Sequence, residues 1–287
     1  MSTVVVTGSR GLLGATLMRV LPEAGFRAVP LIGDIRDAAA VAKQIAQAAP
    51  DHVVHAAAMT YVAACERRPQ EAFSVNGEGT KNVVVAARAA GTPVLYISTA
   101  SVFRGDRGDY HEVDTPEPTN AYNQSKREGE RHTLDYERGM VLRLNLIGAH
   151  PDGSRGQNFL EWLLDNFRAN KDMTMFADVC INPLSNWTIA ALITKILARD
   201  DLGNILHIGS RDLKSKAAIG ELTLARLPGY RGIMQSGSVD AIADGVFRPK
   251  QMWLNTDKAA ALLGPMPTVA QELDTIFARS RLPATLG

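Results

Sequence analysis

The sequence predicts an α/β fold, a doubly wound parallel sheet covered by helices on both faces and followed by a smaller C-terminal α/β lobe. Three observations carry this. From Thr3 to Gly148, apolar runs rich in Val, Ile and Leu alternate with stretches of helical periodicity, and strands of such continuous apolar character are buried on both faces. A cluster of glycines sits where the first strand passes into the first helix. Beyond Gly148 the rhythm loosens, so residues 1–150 read as the main domain and 151–287 mainly as a second lobe, with the two interleaved.

The elements follow in order. "TVVVTG", from Thr3, is a buried strand and "LLGATLMRVLPEAG" a helix. "RAVPLI" is the second strand, "DAAAVAKQIAQAAP" a helix and "HVVHAAA" the third strand. "PQEAFSVNGEGTKNVVVAARAAG" reads as one long helix ended by Gly91. "PVLYIS" is a strand, 121–138 a helix and "MVLRLNLIG" another strand. The Gly- and Pro-rich "GAHPDGSRGQN" then leads to helices at 159–169 and 185–198 and a later strand, "NILHIG".

Composition narrows the function classes. The chain has 287 residues, 46% hydrophobic and 21% charged, which is enough to bury a large core. Its 31 basic and 30 acidic side chains leave a net charge of +1, which argues against a nucleic-acid surface or a polybasic membrane patch. Cys65 and Cys180 stand far apart and read as reduced thiols of a cytoplasmic protein. No signal-peptide pattern or membrane span is expected. The histidines have no metal-ligand spacing, so no metal is expected, and His55 reads as a core residue. Trp162, Trp187 and Trp253 fall in the second lobe without an assigned role.

The first chemical motif is "TGSRGLLG", with Gly8, Gly11 and Gly14. Glycines at a strand-to-helix junction let the backbone approach a pyrophosphate, whose charge is met by N–H groups at the helix N-terminus; this is the signature of a Rossmann-type dinucleotide site. The second is "AYNQSK". At i and i+4 of a helix, Tyr122 and Lys126 share one face. An ammonium beside a phenol lowers the phenol pKa from about 10 towards the range of a general acid. The third is "VLYISTASVF", a strand ending in Ser98 and Thr99. Adjacent strand side chains face opposite ways, so only one of this pair can meet Tyr122.

Together the G-x-x-G-x-x-G spacing, "YNQSK" and "STASVF" resemble the short-chain dehydrogenases/reductases. "HAAAMTYVAACERRPQEAFSVNGEGTKN" and "FRPKQMWLNTDKAAALLG" resemble extended members of that family, most closely the dTDP-4-dehydrorhamnose reductases, over nearly the whole chain. The resemblance implies a catalytic set of Thr99, Tyr122 and Lys126. It also implies a cofactor site drawn from Gly8, Ser9, Arg10, Gly11, Leu12, Leu13, Asp34, Ile35, Ala56, Ala57, Ala58 and Asn76, with Tyr122 and Lys126 at its nicotinamide end. Arg10, where NADP-preferring relatives carry a cation, favours NADP(H), with NAD(H) open; Asp34 resembles the aspartate beside the adenine. Arg248 is the candidate for the substrate phosphates. The implied activity is NADPH-dependent reduction of the 4-keto group of a nucleotide-linked deoxysugar, with a homodimer possible through the long helices. The alternatives are a nucleotide-sugar epimerase of the same family and a non-catalytic NADP-binding regulatory subunit. The relatives usually follow the threonine with Asp-Tyr, whereas this chain has Ala100 and Ser101; that pair supplies no acid for dehydration.

Overall fold

The computed structural model describes residues 1–153, 158–280 and 282. In chain order, β1 (Thr3–Thr7) is followed by α1 (Leu12–Glu23), β2 (Arg27–Pro30), α2 (Ala38–Ala48), β3 (His52–His55), α3 (Val62–Arg67) and α4 (Pro69–Phe73). A π-helical turn at Ser74–Glu78 leads into α5 (Gly79–Ala89), β4 (Val94–Ile97), α6 (Ala121–Leu134) and β5 (Gly139–Leu144). Then come β6 (Leu146–Ile147), α7 (Phe159–Arg168), β7 (Met173–Phe176), β8 (Cys180–Ile181), β9 (Leu184–Ser185) and α8 (Asn186–Ile196). The chain closes with β10 (Ile205–Ile208), β11 (Lys214–Ser215), α9 (Lys216–Leu224), β12 (Met234–Gly237), α10 (Asp257–Leu263) and α11 (Val269–Arg279).

The central sheet has six strands in the order β10-β5-β4-β3-β1-β2, parallel throughout. Period-2 alternation splits its side chains between two cores. Val4 and Val6 pack with Leu13, Leu17 and Leu21 of α1 and with Ile189 and Ile193 of α8. Val5, Val53 and Val94 face the other way, onto Val41 and Ile45 of α2 and Val83 and Val84 of α5. The order reverses between β1 and β3, a switch point that opens a crevice at the C-terminal ends of the strands. A separate core joins Leu160, Leu163 and Phe167 of α7 to Met173, Met175, Ile219, Leu273 and Ile276. The sixth strand, β10, comes from the second half of the chain and pairs with β5.

Several elements differ from the sequence expectation. The run "MVLRLNLIG" breaks at Asn145, whose amide donates to Met252 O at 2.7 Å; Leu146 and Ile147 then pair with β9 outside the sheet. The helix expected over 121–138 stops at Leu134. There Tyr136 turns back, its hydroxyl donating to Thr92 O at 3.1 Å, and Gly139 is needed because a Cβ would collide with Thr133 O. "HVVHAAA" leaves the sheet after His55, since the Ala56 and Ala57 N–H groups donate to the Thr7 hydroxyl at 3.1 and 3.0 Å. The helix over "PQEAFSVNGEGTKNVVVAARAAG" is interrupted by the π-turn around Asn76. Part of "GAHPDGSRGQN", residues 154–157, lies outside the described residues.

Candidate active site

The glycine motif forms a tight cradle at the switch point. Gly8 has φ +65°, and a Cβ there would meet Ala57 Cα and N at 2.8 Å, so β1 and the loop after β3 approach closely only through glycine. At Gly14 a Cβ would collide with Gly8 O. Gly11 caps α1, its N–H donating to Gly8 O at 2.9 Å. The start of this 12-residue helix therefore points its free N–H groups into a crevice walled by Gly8, Ser9, Ala56 and Ala57, a fit for a dinucleotide pyrophosphate. Arg10 is exposed on the outer edge of the loop, while Leu13 is buried in the core beneath it.

The catalytic candidates meet where β4 ends against α6. Asn120 caps the helix through Asn123 N at 2.9 Å, and Glu66 of α3 accepts from Ala121 N at 2.6 Å, so the first turn is fixed from two sides. Thr99 hydrogen-bonds the Tyr122 phenol; Ser98 is occupied below it by Glu130, at 2.6 Å. One turn along, Lys126 Nζ donates to Ile97 O at 2.7 Å and lies 4.1 Å from the centre of the Tyr96 ring.

Charge is managed by burial here. Burial pushes the Tyr122 phenol up to about 12, a rise that the Thr99 bond partly relieves, so the phenol keeps its proton. Desolvation brings Lys126 down to about 7, while the Glu130 carboxylate acts to raise it. The expected lowering of the phenol by the ammonium is absent from this arrangement, because the ammonium is turned onto Ile97 O and the Tyr96 face.

Other expected residues are placed as follows. Asn76 is buried. It accepts from Met59 N at 2.8 Å and donates to Met59 O and Ser125 Oγ, each at 2.9 Å, clamping the loop after β3 to α6. Ala58 lies in that loop. The Ile35 side chain is core, packed against Gly79, so any part it takes in a cofactor site is through its main chain. Asp34 is exposed and holds Arg36, accepting from Nε at 2.9 and 3.0 Å; that bond keeps its carboxyl below the usual range. Arg248 is paired with Asp244 at 2.7 and 2.6 Å, and its field reaches Tyr61, Glu66 and Lys216. His55 is the core histidine expected. It bonds Thr7 Oγ1 at 2.6 Å and Thr80 Oγ1 at 2.9 Å, and burial drives it to about 3. Among the described residues no His, Cys, Asp and Glu cluster could hold a metal, and no helix is long and apolar enough to cross a membrane.

Sequence reasoning missed Glu130, Arg143, Glu66 and Lys216. Glu130 carried a signal, since it stands one helical turn after Lys126.

Comparison with known proteins places the chain among its relatives. The chain is 28% identical over 290 residues to a probable low-salt glycan biosynthesis reductase, Agl14, of Haloferax volcanii, covering 95% of this chain and 96% of that one. It is 27% identical over 261 residues to a dTDP-4-keto-6-deoxy-D-glucose reductase of Streptomyces niveus, covering 88% of each. A crystal structure of dTDP-4-dehydrorhamnose reductase from Bacillus anthracis str. Ames, in complex with NADP, superposes with a TM-score of 0.87 at 25% identity, over 97% of this chain and 99% of that one. The family model described as RmlD substrate binding domain matches residues 1–281, and the chain belongs to that family.

Proposed function

We propose that the protein reduces the 4-keto group of dTDP-4-dehydrorhamnose or a closely related dTDP-linked 6-deoxysugar, with NADPH as the reductant. The observation that carries this is the convergence of Thr99, Tyr122 and Lys126 at the end of β4, beside a cradle shaped for a dinucleotide. The names of the relatives, reductases of dTDP-4-keto sugars, support the same substrate class, and the NADP-bound neighbour supports the cofactor.

Gly8, Ser9, Gly11 and Leu12 would hold the pyrophosphate, Arg10 the 2′-phosphate, Asp34 the adenine edge and Lys126 the nicotinamide ribose. When bound, NADPH supplies hydride to the ketone carbon. Tyr122, kept protonated by its burial, donates its proton to the carbonyl oxygen as that oxygen becomes an alkoxide. Thr99 donates a second hydrogen bond to the same oxygen. Lys126, drawn from Ile97 O towards the ribose, brings positive charge to the phenolate that remains and lowers the cost of the transfer. Arg248 and Lys216, near enough for the charge of the first to act on the second, are suited to the substrate diphosphate, with Asp244 sharing Arg248.

A cytoplasmic location and a homodimer through α5 and α6 belong to the same reading. Support comes from the free thiols of Cys65 and Cys180 and from Val85, exposed on α5. The test is to mix purified protein, NADPH and dTDP-4-dehydrorhamnose and follow loss of the reduced nicotinamide. Stoichiometric oxidation is expected. Conversion of the sugar without NADPH loss would instead mark an epimerase, and no reaction with any 4-keto sugar nucleotide would favour a binding role.

A further inference from the structure

The last residue of β4 and the two that follow it are gripped in turn by α6. Lys126 Nζ donates to Ile97 O at 2.7 Å, the Glu130 carboxylate accepts from Ser98 Oγ at 2.6 Å, and Tyr122 meets Thr99. Tyr122, Lys126 and Glu130 are spaced four residues apart, so they stack along one helix face. Glu130 is itself fully buried and held by three donors besides Ser98. Arg143 of β5 donates from Nε at 2.8 Å and from a terminal nitrogen at 2.9 Å, and Arg127 donates at 2.8 Å. Behind Arg143 stands His207 of β10, at 3.3 Å.

We propose that Glu130 is a positioning residue of the reductase site, fixing the end of β4 through Ser98 and supplying the buried negative charge that the Lys126 ammonium needs. The inference rests on the reading of Lys126 as the residue that holds the nicotinamide ribose. Among the described residues, the groups around Lys126 leave this task to Glu130. His55 of β3 is held neutral by burial, Tyr96 of β4 and Tyr122 keep their phenolic protons, and the charge acting on Lys126 is that of Glu130. Around Glu130 itself, Arg127 and Arg143 are cationic, and His207, driven to about 4 chiefly by burial, is neutral at the pH of interest.

The test reads NADPH affinity against pH, by fluorescence of the bound nicotinamide, and involves no sugar. In the native protein affinity falls on the alkaline side as Lys126 loses its proton, and Lys126→Met flattens that fall. In Glu130→Gln, with Arg143 left uncompensated, the midpoint moves at least about one pH unit lower, which weakens binding at least about fivefold at the native midpoint. Glu130→Met/Arg143→Met removes both charges and, as replacement of a buried ion pair by apolar residues commonly does, keeps the fold; its midpoint moves down by less. If Glu130→Gln does not fold, this double variant decides by the same criterion. A folded variant whose midpoint stays at the native value, or rises, overturns the proposal. If Lys126→Met itself binds NADPH as the native protein does, the reading of Lys126 fails, and the proposal falls with it.

Discussion

The Thr7 hydroxyl meets the His55 imidazole at 2.6 Å and at the same time accepts from the N–H groups of Ala56 and Ala57. One oxygen thus ties the end of β1 to the loop that walls the dinucleotide crevice. Thr7→Val keeps the shape and leaves those donors unpaired in a buried place. Chemical denaturation should show a loss of about 2–3 kcal/mol, and NADPH affinity should weaken as the loop loosens.

His55 also sets a pH limit on stability. The folded protein holds it neutral, with its pKa brought to about 3 from 6.5, whereas the unfolded chain takes up a proton below about pH 6.5. The folded state is therefore favoured fully above the unfolded value, and that advantage is lost as pH falls towards 3. The loss from His55 reaches about 2 kcal/mol near pH 5. Thermal melts across this window should fall with acid, and His55→Gln should flatten the slope.

Tyr122→Phe removes the proton donor and preserves ring volume. Turnover should drop by ~10²–10⁴, while the melting temperature and NADPH affinity stay near native. Turnover at the native rate would show that the phenol only packs.

How much of this was legible in the sequence follows from where each contact is made. The buried strands were readable because parallel strands lose their alternation, and the glycine cradle because its constraint lies within a few neighbouring residues. Tyr122 and Lys126 were readable for the same reason. Glu130 offered only its spacing after Lys126, since its meaning depends on Arg143 and Ser98, which reach it only once β4 and β5 lie side by side. The Asn76 clamp was hidden likewise, as its partners Met59 and Ser125 lie 17 and 49 residues away. The helix and strand ends at Leu134 and Asn145 were set by tertiary bonds that override local propensity.

Arg10 stands exposed at the cofactor loop, and β2 ends at Pro30 without a carboxylate. Arg10→Ala should therefore weaken NADPH binding severalfold and leave NADH binding nearly unchanged, as titration of each nucleotide would show. Native protein that bound NADH as tightly as NADPH would contradict this assignment.

The sixth strand of the sheet has a consequence for synthesis. As the chain leaves the ribosome, β5 emerges some sixty residues before β10, and until β10 arrives its outer edge presents unpaired backbone groups. An open, apolar parallel edge recruits other strands. The nascent nucleotide-binding half must therefore wait, shielded, for the second half before its sheet can close, and a fragment ending near residue 150 should aggregate rather than fold as a stand-alone domain.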